Sequence, residues 1–222
     1  VLIDAEGRNG VENMATDEAL LDDALRSGTA SLRLYRWNPP TLSLGRNESD
    51  GLYDLAEIAR LGIPVVRRPT GGKAVWHEHE VTYAAAGPVS LFGSLRIAYR
   101  AIHSWIAAAL QSLGAEVALA PDRRVVGPLD APTSCFATPV GGEVVVRGRK
   151  LVGSAQRRRG SAFLQHGSIL LDGSQDVVRA VSRQASAGSE TTLSAVLGRP
   201  VGFDEVAAAV VESFALASVA SK

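Results

Sequence analysis

Leu95, Ala98, Ile102, Ile106, Ala109 and Leu113 recur at steps of three and four after Ser94 and stop before Gly114. That spacing commits the stretch to a helix with one apolar face, and such a face must be buried against something. What surrounds it is strand-like. Leu32 and Leu34, then Leu42 and Leu44, alternate on either side of Pro39-Pro40 and predict two strands around a turn. Ile63-Pro64-Val65-Val66, Val75, residues 81–86 and Phe163–Leu171 predict further strands. Pro64 places its strand at an edge or a strand start, and Gln165-His166-Gly167 reads as an interruption of the last one.

Other helices are expected after Asn13 as a cap, with Ala15, Ala19, Leu20 and Leu25 in helical rhythm up to Gly28, and over residues 52–61 before Gly62. A third is expected over Phe203–Ala217. Val144–Val146 and Leu151-Val152 flank Arg147-Gly148-Arg149, a hairpin signal. Helices and strands thus interleave without a regular βαβ beat, which predicts an α+β fold. Residues 1–175 are expected to form the catalytic core and 176–222 a C-terminal helical extension packed on the same domain.

The chain has 222 residues, 46% of them hydrophobic, enough for one substantial core. Its 23 basic side chains are matched by 23 acidic ones, which argues against nucleic acid as a partner. One cysteine permits no intramolecular disulfide and fits a reducing compartment. With no apolar run of membrane-spanning length and no basic-then-apolar leader at Val1-Leu2-Ile3-Asp4, no membrane partner is expected and the cytoplasm is the expected location.

Four stretches carry possible chemistry. In Arg67-Arg68-Pro69-Thr70-Gly71-Gly72-Lys73-Ala74-Val75-Trp76-His77-Glu78 the glycine pair lets backbone amides approach an anionic or carbonyl oxygen; the plainer reading is a tight turn with solvated arginines. In Gly148-Arg149-Lys150-Leu151-Val152-Gly153-Ser154-Ala155-Gln156-Arg157-Arg158, Lys150 is either a fixed positive charge against apolar surface or an exposed hairpin lysine. His166, inside an apolar strand, reads first as a hydrogen-bonded structural group and second as catalytic. Cys135 lies in a Pro/Gly-rich stretch, residues 120–142, and is either a small buried hydrophobe or an activated thiolate. His77 and His79 alone make no metal site.

Taken in order, these stretches resemble the biotin/lipoate protein ligase superfamily. The Arg67–Glu78 stretch looks like its signature loop, and the Lys150 stretch followed by Leu164-Gln165-His166-Gly167-Ser168-Ile169-Leu170-Leu171 is similar to the lipoate branch. Asn13-Met14-Ala15-Thr16-Asp17-Glu18-Ala19 matches its first helix and Pro40-Thr41-Leu42-Ser43-Leu44-Gly45 the strand that follows. The resemblance implies a mixed β-sheet core flanked by helices, an acyl chain beneath the Gly-Gly loop, and Lys150 beside the acyl carbonyl. It implies substrate contacts from Arg67, Arg68, Thr70, Gly71, Gly72, Lys73, His77, Gly153, Ser154 and Ala155.

Cys135-Phe136, fifteen residues before Lys150, looks like the nucleophile of the octanoyltransferases that take octanoate from octanoyl-acyl carrier protein without a cofactor. The acceptors would be lipoyl-accepting domains or the glycine cleavage H protein. The alternatives are a lipoate ligase using ATP and Mg2+, whose Gly-Asn step is replaced here by His77-Glu78-His79-Glu80, an amidotransferase, and a non-catalytic lipoyl-domain binding module. The family often has an aromatic and an acidic residue after the Cys-Phe pair, where Gly141-Gly142-Glu143 stands in this chain, and an aspartate where Glu78 stands.

Overall fold

A computed structural model describes residues 1–121, 136, 140–184 and 188–220. The first helix, α1 (Gly10–Ser27), begins one turn before the expected cap. Asn9 is the N-cap: its side chain accepts from Glu12 N–H while Glu12 reaches back to the Asn9 amide, a reciprocal capping box. Asn13 is instead buried inside the helix, its Nδ2 donating to the carbonyls of Arg8 and Arg36 at 3.0 Å. Gly28 ends the helix in the left-handed conformation with φ 70°, as its position predicts. The buried positions 10, 13, 14, 17, 20, 21 and 24 form one stripe at helical spacing. Leu21 on that stripe is fully buried, worth about 1.5–3 kcal/mol.

That stripe lies on a five-stranded sheet built from β1 (Leu2–Arg8), β2 (Ser31–Trp37), β6 (Glu80–Pro88), β10 (Val152–Arg159) and β11 (Ala162–Leu170), in the order β1-β2-β6-β11-β10. β1 pairs parallel with β2 and the other pairs are antiparallel, so the sheet is mixed. β1 was not foreseen. β11 runs without interruption through Gln165, His166 and Gly167, every residue buried. Its polar residues break the sequence pattern but not the ladder, because each finds a partner in the interior: Gln165 Nε2 donates to the Tyr83 hydroxyl at 2.9 Å and Ser168 Oγ to Glu80 at 2.9 Å.

Period-two alternation divides the core. Leu32, Leu34, Tyr83 and Ala85 face α3 (Leu95–Ser112) and α6 (Phe203–Ala220), while Tyr35, Trp37, Ala84 and Ala86 face α1. Ser94 caps α3 as expected, accepting from Ile97 N–H. Phe203, Val206 and Val210 of α6 and Leu193 of α5 (Leu193–Leu197) join the α3 side of the same core. The strands around Pro39-Pro40 go to different sheets: β3 (Thr41–Leu44) lies between β4 (Val65–Arg67), an edge strand, and β5 (Val75–His77). This small sheet packs on α2 (Leu55–Arg60) and α4 (Asp176–Val181) through Leu42, Tyr53, Ile58, Val178 and Val181. A third sheet joins β7 (Ala118–Leu119), β8 (Val144–Val146) and β9 (Arg149–Lys150), with Arg147 and Gly148 at positive φ in the turn. Among the described residues no helix is long and apolar enough to cross a membrane.

One ionic knot holds α1 to the sheet. Arg33 and Asp17, both with side chains fully buried, meet at 2.9 Å. Arg33 also donates to Asp4, to the Asn13 side chain and to the Asn13 carbonyl. Breaking a buried pair leaves a charge without compensation. Arg33→Met is therefore expected to cost about 3–5 kcal/mol, read as a lowered urea midpoint; a shift worth under about 1 kcal/mol would show the knot to be dispensable.

Candidate active site

The Gly-Gly loop is shaped from below by Arg68. Its buried guanidinium donates to Ser43 O and Ser43 Oγ at 2.8 and 2.6 Å, and to the carbonyls of Gly71 and Lys73 at 3.2 and 2.8 Å. The loop also crosses β3 closely: a Cβ on Gly45 would lie 2.0 Å from the Gly72 carbonyl oxygen, so glycine is required there. Thr70 Oγ1 shares a 2.6 Å hydrogen bond with His166 Nε2, and His166 Nδ1 meets Asp17 at 2.9 Å. His166 is thus a strut between α1, β11 and the loop, the structural reading of its sequence position. Gly71 and Gly72 donate their N–H groups to no acceptor among the described residues.

His77 is locked in the same way. Nδ1 faces Glu80 at 2.7 Å, Nε2 faces Ser43 Oγ at 2.6 Å, and the ring stacks on Trp37 at 4.0 Å. Burial lowers its pKa against the opposing pull of Glu80. The ring therefore supports the cavity wall with both nitrogens already engaged. Arg67 turns away toward the preceding loop, bonding the carbonyls of Gly45 and Glu48 and pairing with Asp50. Lys73 is half-buried and forms no ion pair among the described residues.

A small cavity of about 20 Å³ lies beside this loop, between Met14, Trp37, Arg68, Val75, His77 and the strand segments 153–155 and 166–168. Of the residues expected to meet substrate, Arg68, His77, Gly153, Ser154 and Ala155 line it; Arg67, Thr70, Gly71, Gly72 and Lys73 do not. Close packing of β10 on β11 depends on Gly167, where a Cβ would meet Ser154 Oγ at 2.3 Å.

Lys150 is almost wholly buried, not exposed on its hairpin. Its backbone is fixed on both sides, by Val145 across β8 and by bonds with Ser189 and Thr191 at 2.8 and 2.9 Å. Its ammonium lies 2.8 Å from the buried Glu143 carboxylate and 5.5 Å from the centre of the Phe136 ring. Phe136 packs with Val75 and Leu170 and against Gly153, where a Cβ would approach the ring to 2.8 Å. Cys135 lies outside the described residues.

Sequence reasoning missed three groups here. Glu143 was read as part of a departure from the family pattern, yet its acid stands directly on Lys150. Tyr99 donates its hydroxyl to Glu143 at 3.1 Å, and His103 Nε2 meets Ser154 Oγ at 2.8 Å, with Tyr83 on the same hydroxyl at 2.7 Å. The signal for Glu143 was an acid immediately before an apolar strand, where burial demands a partner. Tyr99 and His103 gave a subtler one, polar side chains four apart on a helix.

The run Arg157–Arg159 is largely spent on α1: Arg157 pairs with Glu18 and Arg159 with Asp22, while Arg158 donates to Gly160 O. No group of three or more potential metal ligands occurs among the described residues.

Residues 9–215 match the lipoyl protein ligase A/B catalytic domain family. The chain belongs to this family. The resemblance drawn from the four motifs in order therefore holds. Among curated relatives of this lipoyl-ligase-family domain, octanoyltransferase LipM of Carboxydothermus hydrogenoformans is 39% identical over 87% of the chain and 73% of its own length. Octanoyltransferase LipM of Kyrpidia tusciae is 40% identical over 91% and 81%. The fold matches solved lipoyl-ligase-family structures. Lipoate-protein ligase A bound with ATP gives a TM-score of 0.77 at 22% identity, covering 96% of this chain and 82% of that one. Protein Ta0514 from T. acidophilum with bound lipoic acid gives 0.76 at 22% identity, covering 96% and 83%. The α+β expectation, a mixed sheet flanked by helices, is met.

His103 yields a pH prediction. Burial, then the nearby Lys150 charge, pushes its pKa down to about 3, from about 6.5 in an unfolded chain. Between those values the unfolded state binds the extra proton, so stability falls as pH drops through this window and is unaffected above it. His103→Gln is expected to flatten that slope by up to about 1.4 kcal/mol per pH unit, measured as wild-type minus variant stability by urea unfolding from pH 7 to 4. Parallel curves would show that His103 already takes up its proton in the folded state.

Proposed function

We propose that this chain is an octanoyltransferase of lipoate biosynthesis, moving an octanoyl group from octanoyl-acyl carrier protein through Cys135 to a lysine of a lipoyl-accepting domain such as the H protein. The observation that carries this reading is the buried Lys150 ammonium, 5.5 Å from the ring of Phe136, which packs on the cavity-lining Gly153 and follows Cys135 in the chain. Relatives at about 40% identity over most of the chain carry the name octanoyltransferase LipM, which supports the same chemistry.

In the first half-reaction the Cys135 thiolate adds to the thioester carbonyl of the donor. A carbon–sulfur bond to Cys135 forms, the bond to the carrier's sulfur breaks, and that sulfur takes up the proton Cys135 released on ionising and leaves as a thiol. In the second, the acceptor lysine's neutral amine adds to the enzyme thioester. A carbon–nitrogen bond forms, Cys135 is released, and the amine's proton passes by way of Lys150 to the departing sulfur. Thioester exchange is nearly isoenergetic and the final amide is more stable, so the sequence needs no ATP and no cofactor.

Lys150 supplies positive charge to the thiolate and to the carbonyl oxygen as it gains charge, in a site where burial strengthens that interaction. The undonated amides of Gly71 and Gly72 are the proposed oxyanion donors. The cavity is the proposed entry for the acyl chain, with Met14, Trp37 and Val75 as apolar wall. Arg67, already bound to the 45–50 loop, shapes that mouth rather than touching substrate.

Wild-type protein incubated with octanoyl carrier protein and acceptor domain, with and without ATP, is expected to gain the mass of one octanoyl group and to modify the acceptor in both conditions. Cys135→Ser should abolish both products, and Lys150→Ala should slow acceptor modification at least about a hundredfold. Absence of the adduct together with an ATP requirement would assign the chain to adenylate-forming ligation instead.

A further inference from the structure

Glu143 holds a carboxylate almost completely out of water, and three interactions converge on it. Oε2 lies 2.8 Å from Lys150 Nζ and accepts from Val140 N–H at 2.7 Å; Oε1 accepts from the Tyr99 hydroxyl at 3.1 Å. Its own amide closes the turn onto Val140 O at 3.1 Å. Gly142 at φ 88° makes that turn possible, and a Cβ there would meet Arg100 Cγ at 3.2 Å and Tyr99 Cδ1 at 3.9 Å. The Tyr99 ring thus stands against the turn that carries the carboxylate.

The other titratable groups facing this centre have separate engagements. From α3, His103 bonds Ser154 Oγ. From β6, the Tyr83 hydroxyl bonds the same oxygen. From the 188–192 segment, Glu190 has its backbone beside Lys150 but its carboxylate on Arg179 at 2.7 Å. A carboxylate this buried costs several kcal/mol of desolvation unless paired. The turn alone could be closed by a neutral side chain; an ionised one is justified by the ammonium it faces.

We propose that Glu143 is a positioning residue for the acyl transfer: its carboxylate, aimed by Tyr99 and the Val140 amide, fixes the Lys150 ammonium at the reacting centre. This rests on the octanoyltransferase reading above. Two further features fit. Tyr99 also reaches the Ser154 carbonyl, at 3.4 Å, so the carboxylate is tied to a strand that lines the cavity. And Phe136 is packed between Gly153 and the same ammonium, so a displaced Lys150 would disturb the segment next to Cys135.

The test is a kinetic cycle of Glu143→Gln, Lys150→Met and the double variant, each assayed for single-turnover octanoyl loading and for steady-state transfer. Glu143→Gln should lower kcat roughly tenfold or more while KM for the donor stays within about twofold. Glu143→Asp, which keeps the charge on a shorter arm, should recover part of the rate. The double variant should be no slower than Lys150→Met alone, because Glu143 acts through the lysine. Fully additive losses, or a loss confined to KM, would overturn the proposal and leave Glu143 a turn cap. Should Glu143→Gln fail to fold, Tyr99→Phe replaces it, with a few-fold loss in kcat expected and an unchanged kcat overturning the idea. A wild-type enzyme that forms no octanoyl adduct defeats the transferase reading; an adduct that the Glu143→Gln variant forms and passes on at the wild-type rate defeats this inference alone.

Discussion

The Asp17 carboxylate is the point where three parts of the molecule meet. It receives Arg33 and the Tyr35 hydroxyl from β2, at 2.9 and 2.8 Å, and His166 from β11 at 2.9 Å. Through His166 it reaches Thr70 and therefore the Gly-Gly loop. An acid this deep is stable only because its oxygens are matched by donors and a guanidinium stands beside it. The consequence is geometric: α1, the two strands and the loop cannot shift independently, so the Gly-Gly loop is referenced to the middle of the sheet. Burial and the Asp17 contact hold the Tyr35 hydroxyl protonated, which keeps it a donor to that acid.

The same rule governs the other side of the cavity. Glu80 gathers His77, Thr82 and Ser168, and Glu143 gathers Lys150, Tyr99 and the Val140 amide. Each of these two acids draws donors from more than one element, so the polar groups specify one arrangement of the strands where apolar packing alone would tolerate several. The histidines divide accordingly. His77 and His166 have both ring nitrogens occupied and act as struts, whereas the Gly71 and Gly72 amides donate to no acceptor among the described residues.

Much of this was legible in the residues. Leu95–Leu113 announced α3 and its cap Ser94; Gly28 announced the end of α1; the hairpin around Arg147-Gly148 followed from two apolar runs. The family motifs singled out Lys150, which the fold buries on Glu143, and the Gly-Gly loop, which Arg68 braces. What misled was polarity in the interior. Gln165 and His166 suggested a broken strand because their partners, Tyr83, Thr70 and Asp17, lie 82 to 149 residues away. Asn13 looked like a helix cap because a cap and a buried amide have the same sequence signature. Arg67 read as a binding group because nothing local revealed Asp50 as its counter-ion.

The order of residues by itself determined the helices, most strands, the two glycine turns and the lysine on its hairpin, because these depend on periodicity and backbone preference within a few positions. Only the tertiary structure decided which charges are spent and which remain. That Lys150 is buried on Glu143, that Arg68 builds the loop while Arg67 leaves it, and that His166 is a strut are all long-range pairings. Their energy comes from satisfying desolvated groups, and a buried charge has no preferred partner until the fold brings one within reach.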